Sequence, residues 1–139
     1  MSEIITDNLT GKTSAGNVTI TSEGGSATMQ LQQGLAKAWM RLNGDSSAID
    51  GVSANSIGGS FNVSSYTDQN IGRYESNITN SFSSTADIVV QTNSSYSQGN
   101  TTFYPDNFST SVLGIRTRND AGTYTDTNRL FQTVHGSLA

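Results

Sequence analysis

The residues able to do chemistry are few. His135 is the single histidine of the chain, and there is no cysteine. A Ser–His–Asp triad has serines and aspartates in plenty to draw on. Yet the Gly-x-Ser-x-Gly spacing that bends a strand sharply into a helix and exposes the nucleophile does not occur. Without thiols there is no disulfide, no thiolate ligand for zinc and no cysteine nucleophile. Asp120 and Asp126 flank Gly122, and carboxylates around a turn are calcium chemistry, but the EF-hand spacing is absent. Paired carboxylates also serve glycoside hydrolysis; polysaccharide-cleaving chains of that kind are generally much longer than this one. Gly24-Gly25 and Gly58-Gly59 match neither a phosphate-binding loop nor a dinucleotide fingerprint and read as turns. Asn-x-Ser/Thr sequons at Asn8, Asn17, Asn62, Asn77, Asn93, Asn100 and Asn107 follow from composition. Trp39, Tyr66, Tyr96, Phe103 and Tyr104 are able to form a sugar-binding aromatic surface, although packing in a core or an interface is the weightier reading. No catalytic residue, metal ligand or cofactor is expected.

What must position these residues is a thin framework. The chain has 139 residues, enough for one domain. Ser, Thr and Asn make up roughly 37% of it, while charged residues are 13% against a usual share of about 25%. Low charge argues against disorder, which is commonly polar because it is charged. Thr and the β-branched residues favour strands, and Asn, Ser and Gly favour turns. A small apolar share predicts a thin core, which sharing among subunits would reinforce. A net charge of −4 makes nucleic acid an improbable partner. The seven cations read as scattered: Lys12, Lys37, Arg41, Arg73, Arg116, Arg118 and Arg129. Met1–Thr10 lacks the basic start and apolar run of a signal peptide. No segment approaches the roughly 18 apolar residues of a membrane span. Synthesis in a cytoplasm is expected.

Along the chain, Glu3–Leu9 and Asn17–Ser22 read as extended pieces around a turn at Gly11–Gly16. Gly24–Gly34 reads as a connector, in which Ala27–Gln33 forms either a helical turn or two ended by Gly34, or an extended linker. From there the pattern is strand, turn, strand. Ala36, Ala38, Met40 and Leu42 alternate with Lys37, Trp39 and Arg41. Further strands are expected at Ser60–Ser65, Gly72–Thr79, Ala86–Thr92, Phe108–Arg118 and Arg129–His135. Turns are expected at Gly44–Gly59, Thr67–Ile71, Asn80–Thr85, Asn93–Asn100, Pro105–Asn107 and Asn119–Asn128. The fold expected is all-β: an antiparallel β-sandwich or barrel-like domain at residues 35–139, preceded by an extended N-terminal anchoring arm and connector at residues 1–34.

Three stretches, in order, carry a resemblance. They are Glu3–Leu9 with Gly11–Ile20 and Ser22–Gly25, then Leu31–Trp39 containing Gly-Leu-Ala-Lys-Ala-Trp, then Ser60–Asp68 followed by Gly72-Arg73-Tyr74 and Ile78-Thr79. This set resembles the small tail-fibre-like or virion structural proteins of T7-like phages of marine cyanobacteria and related bacteria. The resemblance covers roughly the first 80 residues. A loop at Asp45–Gly59 is additional to the pattern, and the hairpin turn usually written Asn-Gly here reads Gln69-Asn70-Ile71-Gly72.

The resemblance implies a non-enzymatic virion protein on the particle exterior, as a capsid decoration or knob protein or as a short tail-fibre or appendage protein. A polysaccharide-binding adhesin module, directed at a host surface glycan, is the alternative. The expected partners are the major capsid protein or tail components, and further copies of the chain, with a trimer first. Ile4, Ile5, Leu9, Val18 and Ile20, on otherwise polar extended backbone, are the expected assembly residues of the arm, since such a segment can add a strand to a partner sheet. Trp39 joins them because it opposes the Ala38–Met40–Leu42 face, leaving a strand greasy on both sides.

Overall fold

The structure, a computed structural model, describes residues 5–6, 8–10, 18–21, 28–48, 50–94 and 102–139. The chain divides into Met1–Leu35 and Ala36–Ala139.

In the first unit, β1 (Thr19–Thr21) pairs antiparallel with β2 (Thr28–Gln30), placing Ile20 opposite Met29. A single helical turn, α1 (Leu31–Gly34), follows, and the Leu31 N–H donates to the Val18 carbonyl at 2.8 Å. The helical alternative for the connector therefore holds, but only at its end.

The second unit is a β-sandwich. Its strands are β3 (Ala38–Asn43), β4 (Ser56–Phe61), β5 (Val63–Asn70), β6 (Arg73–Ile78), β7 (Val89–Ser94), β8 (Thr102–Phe108), β9 (Val112–Arg118) and β10 (Leu130–His135). One four-stranded sheet has the order β4-β3-β10-β7 and the other β5-β6-β9-β8, with antiparallel pairing throughout. These are two open sheets and not a closed barrel.

Alternation builds the interior. Ala38, Met40 and Leu42 on β3 point inward with Leu130 and Val134 on β10, and meet Tyr74 and Ile78 of β6 and Leu113 and Ile115 of β9. The buried side chains form two apolar clusters. Phe82, in a polar stretch read from sequence as a turn, is fully buried in the first of them, and Leu138 bridges to it. Lys37, which the alternation sets on the same side as Trp39, is buried where Trp39 is exposed, and its backbone N–H donates to the Val134 carbonyl at 2.7 Å.

Several boundaries depart from expectation. The Ser60–Ser65 stretch is not one strand, because Asn62 adopts φ 55° and passes the chain from β4 in one sheet to β5 in the other. Asparagine tolerates that left-handed conformation. Its side-chain amide donates to the Lys37 and Asn80 carbonyls at 3.0 and 3.1 Å, and its oxygen accepts from the Asn80 N–H at 2.7 Å. The Thr67–Ile71 turn is shorter than expected, since β5 runs to Asn70 and pairs there with Arg73, leaving a two-residue loop. Gly44–Gly59 is not wholly a turn, since β4 begins at Ser56. Asn43 holds the remainder: its amide donates to the Ser47 and Ser53 carbonyls at 2.8 and 3.0 Å. Pro105–Asn107 belongs to β8, and Thr85–Asp87 is a short 3₁₀ turn before β7.

Candidate functional site

The two outer faces of the sandwich differ in chemistry. On the β4-β3-β10-β7 sheet, Trp39 lies in register with Phe61 on one side and Thr133 on the other, and Phe131 follows opposite Arg41. These aromatic residues remain 44%, 53% and 42% exposed for Trp39, Phe61 and Phe131 respectively. The indole lies over Gly59, where an added β-carbon would come within 3.6 Å of the ring. Val89 is exposed on the same sheet while Ile88 and Val90 pack on the core, so β7 too has apolar groups on both sides. At one end of the face Arg41 and Arg129 share the Asp50 carboxylate at 3.6 and 2.6 Å.

On the β5-β6-β9-β8 sheet the outward side chains of β5 and β6, Ser65, Thr67, Gln69, Arg73, Glu75 and Asn77, are polar. Glu75 stands opposite Gly114, and the two line a hollow of about 160 Å³ together with Arg73, Gln69 and Asn107. Both Glu75 oxygens are held: Gln69 Nε2 donates to one at 2.8 Å and Asn107 Nδ2 to the other at 3.0 Å. Asn107 sits at φ 49° where β8 slips register against β9, the kind of bulge that re-aims a side chain.

Beside the hollow three guanidinium groups surround one ring. Arg73 Cζ is 4.6 Å, Arg118 Cζ 4.4 Å and Arg116 Cζ 5.9 Å from the Tyr124 centroid, distances at which a cation is attracted to the ring face. Arg118 also donates to the Tyr124 hydroxyl at 2.7 Å. That hydrogen bond, ahead of the one from Arg73 and the nearby positive charges, lowers the phenol pKa below its usual value, although burial opposes the change.

Tyr124 is held there by a latch. The Asp126 carboxylate accepts from the Gly72 N–H at 2.7 Å and from the Tyr74 hydroxyl at 2.9 Å. Gly72, at φ 63°, has no room for a β-carbon, which would lie 2.5 Å from the Thr117 carbonyl. Gly44 is likewise pressed against the Tyr74 ring. Burial foremost, then the hydrogen bond and charge of Asp126, push the Tyr74 phenol far above its usual pKa.

Of the residues expected to mediate assembly, Trp39 is exposed on the outer face of its sheet as the alternation requires. Ile5, Leu9 and Ile20 are exposed and Val18 half-buried, all within the first unit, while Ile4 lies outside the described residues. Asp126, weighed as a calcium ligand, instead accepts the two latch hydrogen bonds, and among the described residues no group of three or more metal-ligating side chains occurs. The cations are less scattered than they read in sequence, since Arg73, Arg116 and Arg118 converge on Tyr124. A signal was there: Arg116 and Arg118 are two apart on one strand, hence on one face. Nothing local announced Tyr124 or Arg73 as their neighbours. No helix among the described residues is long and apolar enough to cross a membrane. No protein-family model, curated protein or solved structure matches the chain.

Proposed function

We propose that this chain is a non-catalytic structural protein displayed on the exterior of a bacteriophage particle, as a capsid decoration or knob protein or as a short tail-fibre or appendage protein. It joins the major capsid protein or tail components through its N-terminal arm and assembles with further copies of itself, most simply as a trimer. The observation carrying the reading is the Trp39–Phe61–Phe131 stripe on the outside of a sheet whose other side is already core. An exposed aromatic stripe backed by a sheet whose other side is core calls for cover, and a neighbouring subunit supplies it. The phage placement is supported by the resemblance of the first 80 or so residues, and the trimer by the way phage fibres resembling this family are built.

Locating the protein on head or tail by particle imaging tests the placement. Deleting residues 1–23 tests the arm: the expected product is a folded β-sandwich that no longer copurifies with virions. Normal occupancy of the truncated protein would move the anchor elsewhere.

A further inference from the structure

We propose that the outer face of the β5-β6-β9-β8 sheet binds an acidic saccharide, a sugar chain bearing carboxylate or sulfate groups, with Arg73 taking the acid group and Glu75 the sugar hydroxyls. The warrant is the company these two residues keep. Glu75 is fixed by amide donors from both sides, yet a carboxylate has about four acceptor sites and so retains capacity for more hydroxyl donors. The amides of Gln69 and Asn107 bring further donors and acceptors to the same hollow. Sugar hydroxyls donate and accept at once, and this mixture suits them.

Arg73 belongs both to the wall of this hollow and to the cluster around Tyr124. It is exposed, and the ring beneath it holds the planar guanidinium in place for two-pronged recognition of a carboxylate or sulfate. A bare inorganic anion gains nothing from Glu75, which repels it, and a neutral sugar forgoes the charge-assisted bonds to Arg73. A ligand carrying both hydroxyls and acid groups uses the whole face. Because the chain is net −4, an acidic polymer is repelled over much of the surface and admitted here, which fixes where it docks. The site would serve the free protein as well as one held on a particle.

Calorimetric titration of the full chain at low salt tests this with polygalacturonate, dextran sulfate and neutral dextran. At least one acidic polymer should bind, identifying the acid group, and neutral dextran should not. Arg73→Gln should weaken binding by about tenfold, the lower end of what a lost hydrogen bond to a charged group costs. Glu75→Gln should weaken it as well, by several-fold. Inorganic sulfate at the same acid-group concentration should fail to displace the polymer. Tighter or unchanged binding by Glu75→Gln, full displacement by sulfate, equal binding of dextran, or no binding of either acidic polymer would each overturn the proposal. Should Arg73→Gln melt early, Arg73→Lys keeps the charge and loses the planar fork. It should bind with intermediate affinity, and wild-type affinity would count against the site.

Discussion

The Ser76 hydroxyl lies 2.8 Å from the side-chain oxygen of Gln132, both fully buried where β6 faces β10. This polar pair falls between the cluster built on Ala38, Phe82 and Val134 and the cluster built on Met40, Tyr74 and Leu130. No described residue accepts a hydrogen bond from Gln132 Nε2. Removing one partner strands the other, so Ser76→Ala should cost about 1–3 kcal/mol. Replacing both with apolar groups of similar shape, as in Ser76→Ala with Gln132→Leu, should restore or exceed wild-type stability. Denaturant melts of the two variants check the order; a double variant weaker than Ser76→Ala alone would contradict it.

Loss of the Asp126 latch should be felt at two places. Asp126→Ala removes the acceptor of both the Gly72 N–H and the Tyr74 hydroxyl, and should destabilise the sandwich by about 1.5–3 kcal/mol. Hydrogen exchange at the Gly72 amide should accelerate more than exchange at Leu130, which lies on a central strand. Equal acceleration at both would mean the carboxylate supports the fold globally.

The tyrosines should ionise in a set order. The Arg118 hydrogen bond lowers the Tyr124 phenol, whereas burial raises those of Tyr74 and Tyr66. Alkaline titration followed by tyrosinate absorbance should therefore show Tyr124 leading these three, with its early phase missing in Tyr124→Phe. Because the folded value is lowered, the stability this group contributes is present above the unfolded value near 10 and lost as pH falls through the folded one.

Asp68 carries the opposite sign. Burial, then the charge of Asp126, raises its carboxyl pKa against the opposing hydrogen bond from Asn70. Its favourable contribution is thus complete below the unfolded value of 3.8 and lost as pH rises through the raised folded value. Asp68→Asn should melt slightly above wild type at neutral pH, with the gap closing as pH falls towards 3.8. A variant that melts lower at neutral pH would refute the assignment.

Trp39 is the chain's single tryptophan and so reports on its own face. If the stripe is covered by another copy, intrinsic fluorescence should shift to shorter wavelength as concentration rises and light scattering grows. Trp39→Ser should weaken assembly by about 1.5–3 kcal/mol or slightly more, and by more than Tyr96→Ser. A monomer of 14.7 kDa at every concentration, with unshifted emission, would remove the self-assembly part of the reading.

Much of the sandwich was legible because period-2 alternation is strict where one face is core. Trp39 against Ala38 and Met40, Phe131 against Leu130 and Gln132, and Arg73 against Tyr74 all fall on the sides their spacing requires. Legibility failed where the signal is not periodic. Pro105 spoke against a strand, but β8 lies at a sheet edge, where a missing N–H leaves no ladder bond unmade. Phe82 stood alone among Asn, Ser and Thr, with no apolar partner two residues away to mark it as core. The Arg73–Tyr124 cluster draws on β6, β9 and the loop of residues 119–128, so only the pairing of strands brings it together.

The order β4-β3-β10-β7 also sets a schedule for biosynthesis. The strand that separates β3 from β7 is Leu130–His135, the last of the sandwich to leave the ribosome. Until it emerges, Ala38, Met40 and Leu42 have no neighbour on that side, and the nascent chain must wait with one sheet split down its middle. A premature stop before residue 130 would therefore not yield a slightly shortened protein. It would release a polypeptide with two unmatched strand edges, the sort of species that proteases and chaperones intercept.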